Sequence, residues 1–222
     1  MEKYNVKVKE AYFVSSDVKR FVIEKPGGYT FTSGQATELA LNETDWNQKF
    51  RPFTFTGLNS WESLELLVRI YPDRNGVTAK LSKVNTGAEF IITQPFGAIE
   101  YKGPGVFIAG GTGITPFLSI FRELKKQNRL ATNKLIYSNH TSRDVIAGVE
   151  LHDLFKENYI NHYSREGVIG FHERRLNKDI LIDYIKDFGQ RFYVCGSQSF
   201  VTDVSKILLE LGANHDSLVI EY

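Results

Sequence analysis

The 222-residue chain contains a single cysteine, Cys195. That count excludes an intrachain disulfide and any iron–sulfur or zinc site built from cysteines alone. An excess of charge of one sign is also missing. Lys and Arg total 27 against 26 Asp and Glu, a formal net charge of +1, so nothing points to nucleic acid or an anionic membrane as partner. Long single-sign runs are absent, and the mixed charges of Arg122, Glu123, Lys125 and Lys126 read as the solvated face of a helix. No apolar run approaches the ~20 residues that span a bilayer. The opening Met-Glu-Lys-Tyr-Asn-Val-Lys-Val has no apolar signal region, so a cytoplasmic location is expected. His140, His152, His162, His172 and His215 lack the spacing of metal ligands, and no metal site is expected. Repeats and low-complexity tracts are lacking. What is present is an ordinary globular composition, 42% hydrophobic, on a length suited to one large domain or two small ones.

The first hundred residues carry the period of β structure. Leu64, Leu66, Val68 and Ile70 lie on one face of an alternating run; Thr37, Leu39 and Leu41, then Phe21 and Ile23, repeat the pattern. Turns are supplied by Gly27-Gly28, Ser33-Gly34, Asp73-Arg74-Asn75-Gly76 and Thr86-Gly87. Short strands at this spacing predict an antiparallel β-barrel or sandwich, with one short helix over 77–84. After Gly103-Pro104-Gly105 the pattern changes. Apolar strands at 106–109, 135–138, 159–163, 192–195 and 218–220 alternate with helical stretches from about 116, near 150–156 and 178–185, and from about 199 to 211. That order predicts an α/β domain with a doubly wound parallel sheet. The boundary is placed at 102, giving domains 1–102 and 103–222.

Five segments carry candidate chemistry. Val106–Pro116 reads strand, glycine turn, helix start, a geometry that aims backbone N–H groups at an anion. Gly111-Thr112-Gly113-Ile114-Thr115-Pro116 has Pro where a dinucleotide fingerprint has its third glycine, and no acidic residue stands in Tyr137–His140, so an ordinary Rossmann dehydrogenase is disfavoured. No Lys-Ser/Thr follows, which excludes a Walker A loop. In Arg51-Pro52-Phe53-Thr54 the Arg can pair with a phosphate, the Phe can lie along a ring, and the Thr hydroxyl can meet a ring nitrogen; a plain Thr-rich strand with a surface Arg is the bland alternative. Gly76-Val77-Thr78 can hold a second phosphate or simply start a helix. Cys195-Gly196 lies at a strand's carboxyl end, where open α/β sheets bind ligands, although a lone Cys is often only a small core residue. Glu221-Tyr222 ends the chain with an aromatic that can pack or cover a flat ring.

Taken in this order, the motifs resemble the ferredoxin–NADP reductase superfamily over nearly the whole chain. Arg51–Thr54 is similar to its R-x-Y-S/T flavin motif, Gly76–Thr78 to its flavin-phosphate loop, and Gln94-Pro95-Phe96-Gly97 to the turn closing its flavin domain. Gly110–Pro116 is similar to its pyridine-nucleotide turn and Cys195-Gly196 to its C-G signature. Phe53 stands where a Tyr is usual, Gln94 where a Gly is usual, and Glu221-Tyr222 is one residue shorter than the plant-type ending.

The resemblance implies an N-terminal antiparallel β-barrel binding FAD and a C-terminal domain binding NADH or NADPH. It assigns Arg51 to the FAD pyrophosphate and Pro52, Phe53 and Thr54 to the flavin, with the Thr54 hydroxyl at N5. Backbone groups around Arg69, Ile70 and Tyr71 would touch the flavin or ribityl chain; Gly76, Val77 and Thr78 would bind phosphate. Gly111, Thr112, Gly113 and Thr115 would hold the nicotinamide nucleotide. Cys195, Gly196 and Glu221 would lie near the nicotinamide, and Tyr222 would stack on the isoalloxazine. The implied activity is hydride exchange between NAD(P)H and flavin, with Thr54, Cys195, Glu221 and Tyr222 at the reacting rings. Electrons would pass to a separate acceptor: a ferredoxin, flavodoxin, oxygenase component or small oxidant. A ferric or free-flavin reductase on the same scaffold, or a non-catalytic nucleotide-binding module, are the alternatives, and a monomer is expected. Arg143, with Ser138, Thr141 and Ser142, could serve a 2′-phosphate, and the choice between the two nicotinamides stays open.

Overall fold

The computed structural model describes residues 2–97, 99–166 and 174–221. It resolves into two compact units, Met1–Ala98 with Thr115–Glu123, and Ile99–Ile114 with Leu124–Tyr222.

The first unit holds β1 (Lys3–Phe13), β2 (Val18–Glu24), β3 (Ala36–Leu41), β4 (Arg51–Thr54), β5 (Ser63–Arg69), the short helix α1 (Val77–Leu81) and β6 (Glu89–Thr93). The six strands form one antiparallel sheet in the order β4-β3-β6-β1-β2-β5. A bridge between Phe55 and Leu66 joins the two ends of that order and curls the sheet into a near-barrel. The alternation seen in the sequence sets the register: Phe21 pairs with Leu66 and Ile23 with Leu64, and all four are buried in the barrel core with Val6, Leu39, Phe55, Phe90 and Ile92. Edge-to-face contact of Phe21 with Phe90 and the tilted pair Phe31–Phe55 fill its interior.

β5 departs from simple alternation because its other face is covered too. Glu65 is 5% exposed and lies between two guanidinium groups. Arg20 reaches its Oε2 at 2.7 Å, Arg122 reaches its Oε1 at 2.7 Å, and the Thr56 hydroxyl donates to Oε1 at 2.8 Å. Arg122 also donates to the Thr56 carbonyl at 2.8 Å, so one carboxylate ties β2 and β5 to the Thr115–Glu123 segment of this unit. The helix predicted over 77–84 ends at Leu81 instead. Beyond it the chain turns so that the carbonyls of Leu81, Ser82 and Val84 converge on the buried ammonium of Lys19, at 3.5, 2.8 and 2.5 Å. A cation at a helix carboxyl end satisfies carbonyls that would otherwise be buried unpaired.

The second unit is a five-stranded parallel sheet, β7 (Gly105–Gly110), β8 (Lys134–Asn139), β9 (Tyr159–Tyr163), β10 (Arg191–Cys195) and β11 (Leu218–Glu221), in the order β11-β10-β7-β8-β9. Its connections carry α2 (Thr115–Lys126), α3 (Gly148–Phe155), α4 (Lys178–Tyr184) and α5 (Gln198–Glu210). Val106–Ala109 is buried without interruption, as a strand covered on both faces must be. Alternate strand residues Val106, Ile108, Ile136, Phe192 and Val194 meet Leu181 of α4 and Val201, Val204 and Leu208 of α5 in one core. On the opposite face Phe107 and Tyr193 stack with ring centroids 4.2 Å apart. The Tyr193 hydroxyl donates to the Gly103 carbonyl at 2.6 Å and accepts from Lys102 N–H at 2.9 Å, pinning the chain's entry into β7. Asn177 and Ser197 cap α4 and α5, accepting from Ile180 N–H and Phe200 N–H.

Candidate functional site

The chain builds β7, β8 and β9 outward on one side and then returns to place β10 and β11 on the other. The reversal lies between β7 and β10, and a ligand of an open α/β sheet binds at the carboxyl ends of the strands at such a point. The two strand ends there carry the glycine turn and Cys195-Gly196, with Ala109 directly opposite Cys195. The glycine turn read from the sequence is short. Gly111–Ile114 is a 3-10 turn running straight into α2, so Thr115 is the first helical residue and not a cap preceding it.

Close approach explains three of the glycines in this crevice. A Cβ on Gly113 would lie 2.2 Å from the Cys195 carbonyl oxygen and 2.6 Å from the Gly196 nitrogen. Cβ atoms on Gly110 and Gly196 would both strike the Phe200 ring, at 2.9 and 2.7 Å. Gly111 has φ +54°, and its carbonyl accepts from the Tyr137 hydroxyl at 3.0 Å. That hydroxyl also accepts from Ile146 N–H at 3.3 Å. Tyr137 and Phe200 therefore shape the turn, though the sequence marks them only as apolar members of a strand and a helix.

Beside the crevice, Glu221 of β11 stands opposite Cys195 of β10. Burial pushes the Cys195 thiol up to about 12, the Glu221 carboxylate adds to the rise, and the Gly196 N–H opposes it. The Glu221 carboxyl is itself raised by burial, and its Oε2 is buried with no hydrogen-bond partner among the described residues. The pair is thus a neutral thiol next to a buried acceptor with spare capacity, a poor nucleophile but a suitable wall for a polar planar group. One consequence is directly measurable. At pH 8 the single cysteine should react with iodoacetamide more than ~100-fold more slowly in the folded protein than in the denatured chain, since only the thiolate is reactive. Mass spectrometry over time reads this; equal rates would contradict the buried thiol. Tyr222 lies outside the described residues.

The first-unit candidates occupy one end of the barrel. β4 pairs only with β3 along its length, and the Phe55–Leu66 bridge follows it. The strands run antiparallel from that bridge, so Arg51–Thr54 and the end of β5 reach the same end of the barrel. Arg51 and Pro52 are exposed, and the Arg51 guanidinium contacts only the adjacent Phe50 carbonyl, at 2.7 Å. Phe53 packs against the barrel core. The Thr54 hydroxyl, half-buried, has no hydrogen-bond partner among the described residues. Arg69 approaches Asp17 at 3.0 Å through Nε, an ion pair of poor hydrogen-bond geometry, and its Nη2 is buried without a partner. Ile70 is buried and donates its N–H to the Asp17 carbonyl at 2.7 Å, whereas Tyr71 is exposed beneath the Arg74 guanidinium. α1 starts at Gly76 with neither a side-chain cap nor an acidic residue in its first turn, and Val77 is buried while Thr78 is half-buried. An exposed guanidinium such as that of Arg51, and uncapped N–H groups such as those after Gly76, are each suited to a phosphate. Among the described residues no cluster of His, Cys, Asp and Glu is placed to hold a metal ion, and no helix is long and apolar enough to cross a membrane.

Two family models match in sequence order. Residues 5–101 match the oxidoreductase FAD-binding domain and residues 107–206 the oxidoreductase NAD-binding domain. The chain belongs to the ferredoxin–NADP reductase superfamily. The ferredoxin–NAD(P)+ reductase component of the naphthalene 1,2-dioxygenase system of Pseudomonas putida is 23% identical over 218 residues, covering 91% of this chain and 63% of that protein. NADH-cytochrome b5 reductase 1 of Candida glabrata is 30% identical over 165 residues, 67% of this chain and 56% of that one. The chain therefore spans less than two thirds of either relative. The crystal structure of a ferredoxin NADP+ reductase from Neisseria gonorrhoeae with bound FAD and NADP superposes with TM-score 0.85 at 20% identity, over 100% of this chain and 98% of that one. The superfamily's pairing of an antiparallel FAD-binding domain with a parallel NAD(P)-binding domain accounts for the change of pattern read after Gly105.

Proposed function

We propose that the protein is an FAD-dependent oxidoreductase that draws reducing equivalents from NAD(P)H and delivers electrons to a separate acceptor, a ferredoxin, flavodoxin, oxygenase component or small oxidant. The observation that supports this most is the pairing of buried Cys195 with the unpartnered Glu221 Oε2 at the strand-order reversal of an NAD-binding domain, in a chain whose residues 5–101 match an FAD-binding domain. When bound, FAD supplies two-electron exchange with NAD(P)H and one-electron exchange with an acceptor.

The residues then have separable tasks. Arg51 neutralises the FAD pyrophosphate, with the N–H groups following Gly76 and the Thr78 hydroxyl as further donors. Pro52, Phe53, Ile70 and Tyr71 line the flavin, and the unpaired Thr54 hydroxyl serves a ring nitrogen. Gly111, Thr112, Gly113, Thr115 and Gly196 receive the nicotinamide nucleotide. Glu221 Oε2 accepts a carboxamide N–H, and the protonated Cys195 fixes the ring's position without reacting with it. Tyr222 is proposed to stack on the isoalloxazine. The chain's part in catalysis is positioning. The Pseudomonas putida relative, a reductase component of a dioxygenase system, supports an oxygenase component or its ferredoxin among the acceptors.

The test is the visible spectrum of the FAD-loaded protein, recorded anaerobically before and after NADH or NADPH. Flavin absorption that is retained through gel filtration and bleached by at least one nucleotide is expected. Failure to take up FAD, or bound FAD that neither nucleotide bleaches, would sink the proposal.

A further inference from the structure

Of the groups that the sequence suggests for a 2′-phosphate, Thr141 and Ser142, in the loop after β8, already meet the chain's own carboxylates. Thr141 N–H and Oγ1 both donate to Asp144 Oδ2, each at 2.8 Å. Ser142 N–H donates to Glu166 Oε2 at 2.9 Å and its Oγ to Glu166 Oε1 at 2.6 Å. All four donors of Thr141 and Ser142 thus point at two anions. Below them Asn139, the last residue of β8, is 5% exposed, and neither its Oδ1 nor its Nδ2 has a hydrogen-bond partner among the described residues. Asn139 lies two residues beyond Tyr137 and so on the same face of the sheet, the face whose Tyr137 hydroxyl holds the glycine turn.

We propose that this loop selects NADH and rejects NADPH, with Glu166 and Asp144 as the specificity-determining residues. The inference rests on the reading of this domain as a binder of NAD(P)H. Adenosine ribose is recognised after the second strand of such a sheet, by an acidic side chain when the 2′-position is a hydroxyl and by a cation when it is a phosphate. A 2′-phosphate arriving here carries close to two negative charges. To reach the Ser142 donors it must displace Glu166, and it then stands beside two carboxylates. A ribose hydroxyl has a proton to give, and each carboxylate retains lone pairs to accept it. The unpaired Asn139 amide is neutral, able to partner a hydroxyl and adding no positive charge for a phosphate. Arg143 is exposed on the same loop, and Arg165, whose N–H donates to the His140 carbonyl at 2.8 Å, adjoins Glu166; the four donors of Thr141 and Ser142 are nonetheless held by the two carboxylates.

Isothermal titration of the FAD-loaded protein with NAD+ and NADP+ tests this without turnover. The native protein should bind NAD+ on the order of 100-fold more tightly than NADP+, the scale of leaving charged groups mispaired. Glu166→Gln should weaken NAD+ binding about threefold and strengthen NADP+ binding about tenfold, and Glu166→Ala should shift the ratio the same way. Equal or tighter binding of NADP+ by the native protein overturns the selectivity, as does a ratio unmoved in both variants. Absence of binding by either nucleotide instead overturns the underlying NAD(P)H reading. Thermal melts of the variants separate these outcomes from loss of fold.

Discussion

Glu65→Ala should destabilise the protein by about 3–5 kcal/mol in chemical denaturation, the usual range for removing one partner of a buried ion pair. The carboxylate is nearly inaccessible and is held by Arg20, Arg122 and Thr56. Its loss leaves two guanidinium groups without the carboxylate they share, with Arg20 keeping Glu10 and the Tyr12 hydroxyl and Arg122 keeping the Thr56 carbonyl. Glu65→Gln, which keeps the size and one carbonyl acceptor, should lose roughly half as much. The pH dependence has a definite sign. Burial alone would raise the Glu65 carboxyl, but Arg122, Thr56 and Arg20 outweigh it and hold the group below its ordinary value of 4.5. A carboxyl depressed in the folded state contributes its full stabilisation above the unfolded value and loses it as the pH falls through the folded one. The advantage of the native protein over Glu65→Gln should therefore be constant near neutrality and shrink below about pH 4.5. A difference that does not change with acidification would show that the ion pairs are not what stabilises this face.

The second large effect is expected at Gly113. An added methyl would meet the Cys195 carbonyl and the Gly196 nitrogen well inside contact distance, and both obstacles are backbone of the adjacent strand end. Gly113→Ala should lower stability by about 3 kcal/mol or more, because neither the turn nor β10 can shift alone. It should also abolish the rise in melting temperature produced by saturating NAD+, since the crevice between β7 and β10 would be wedged apart. Gly27→Ala, with nothing within 4 Å of the new atom, is the matching control and should stay within about 0.5 kcal/mol of the native protein. If Gly113→Ala is as mild as the control, the close packing of the two strand ends is not a constraint on the site.

Much of this molecule is written locally. Alternation in Leu64–Ile70 and continuous burial in Val106–Ala109 gave the two sheet types, because a sheet covered on one face and a sheet covered on both leave different hydrophobic periods. Even there the local signal was incomplete. Glu65 falls on the outward face of β5, and nothing near it in sequence announces the two arginines that bury it, 45 and 57 residues away. The length of α1 was missed for the same reason, since the ammonium that collects its terminal carbonyls comes from β2.

The same division runs through the candidate site. Sequence by itself determined the order of the two nucleotide-binding domains, the glycine turn and the Cys-Gly strand end, since turn chemistry and strand ends are properties of a few adjacent residues. Only tertiary structure decided which groups those segments meet. The parallel register set Glu221 against Cys195, turned a lone thiol into a buried and protonated one, and brought Glu166 onto the donors of Ser142 from 24 residues away. Hydrogen bonds and charges act over a few ångströms in space, and only the folded chain determines which distant residues share that space.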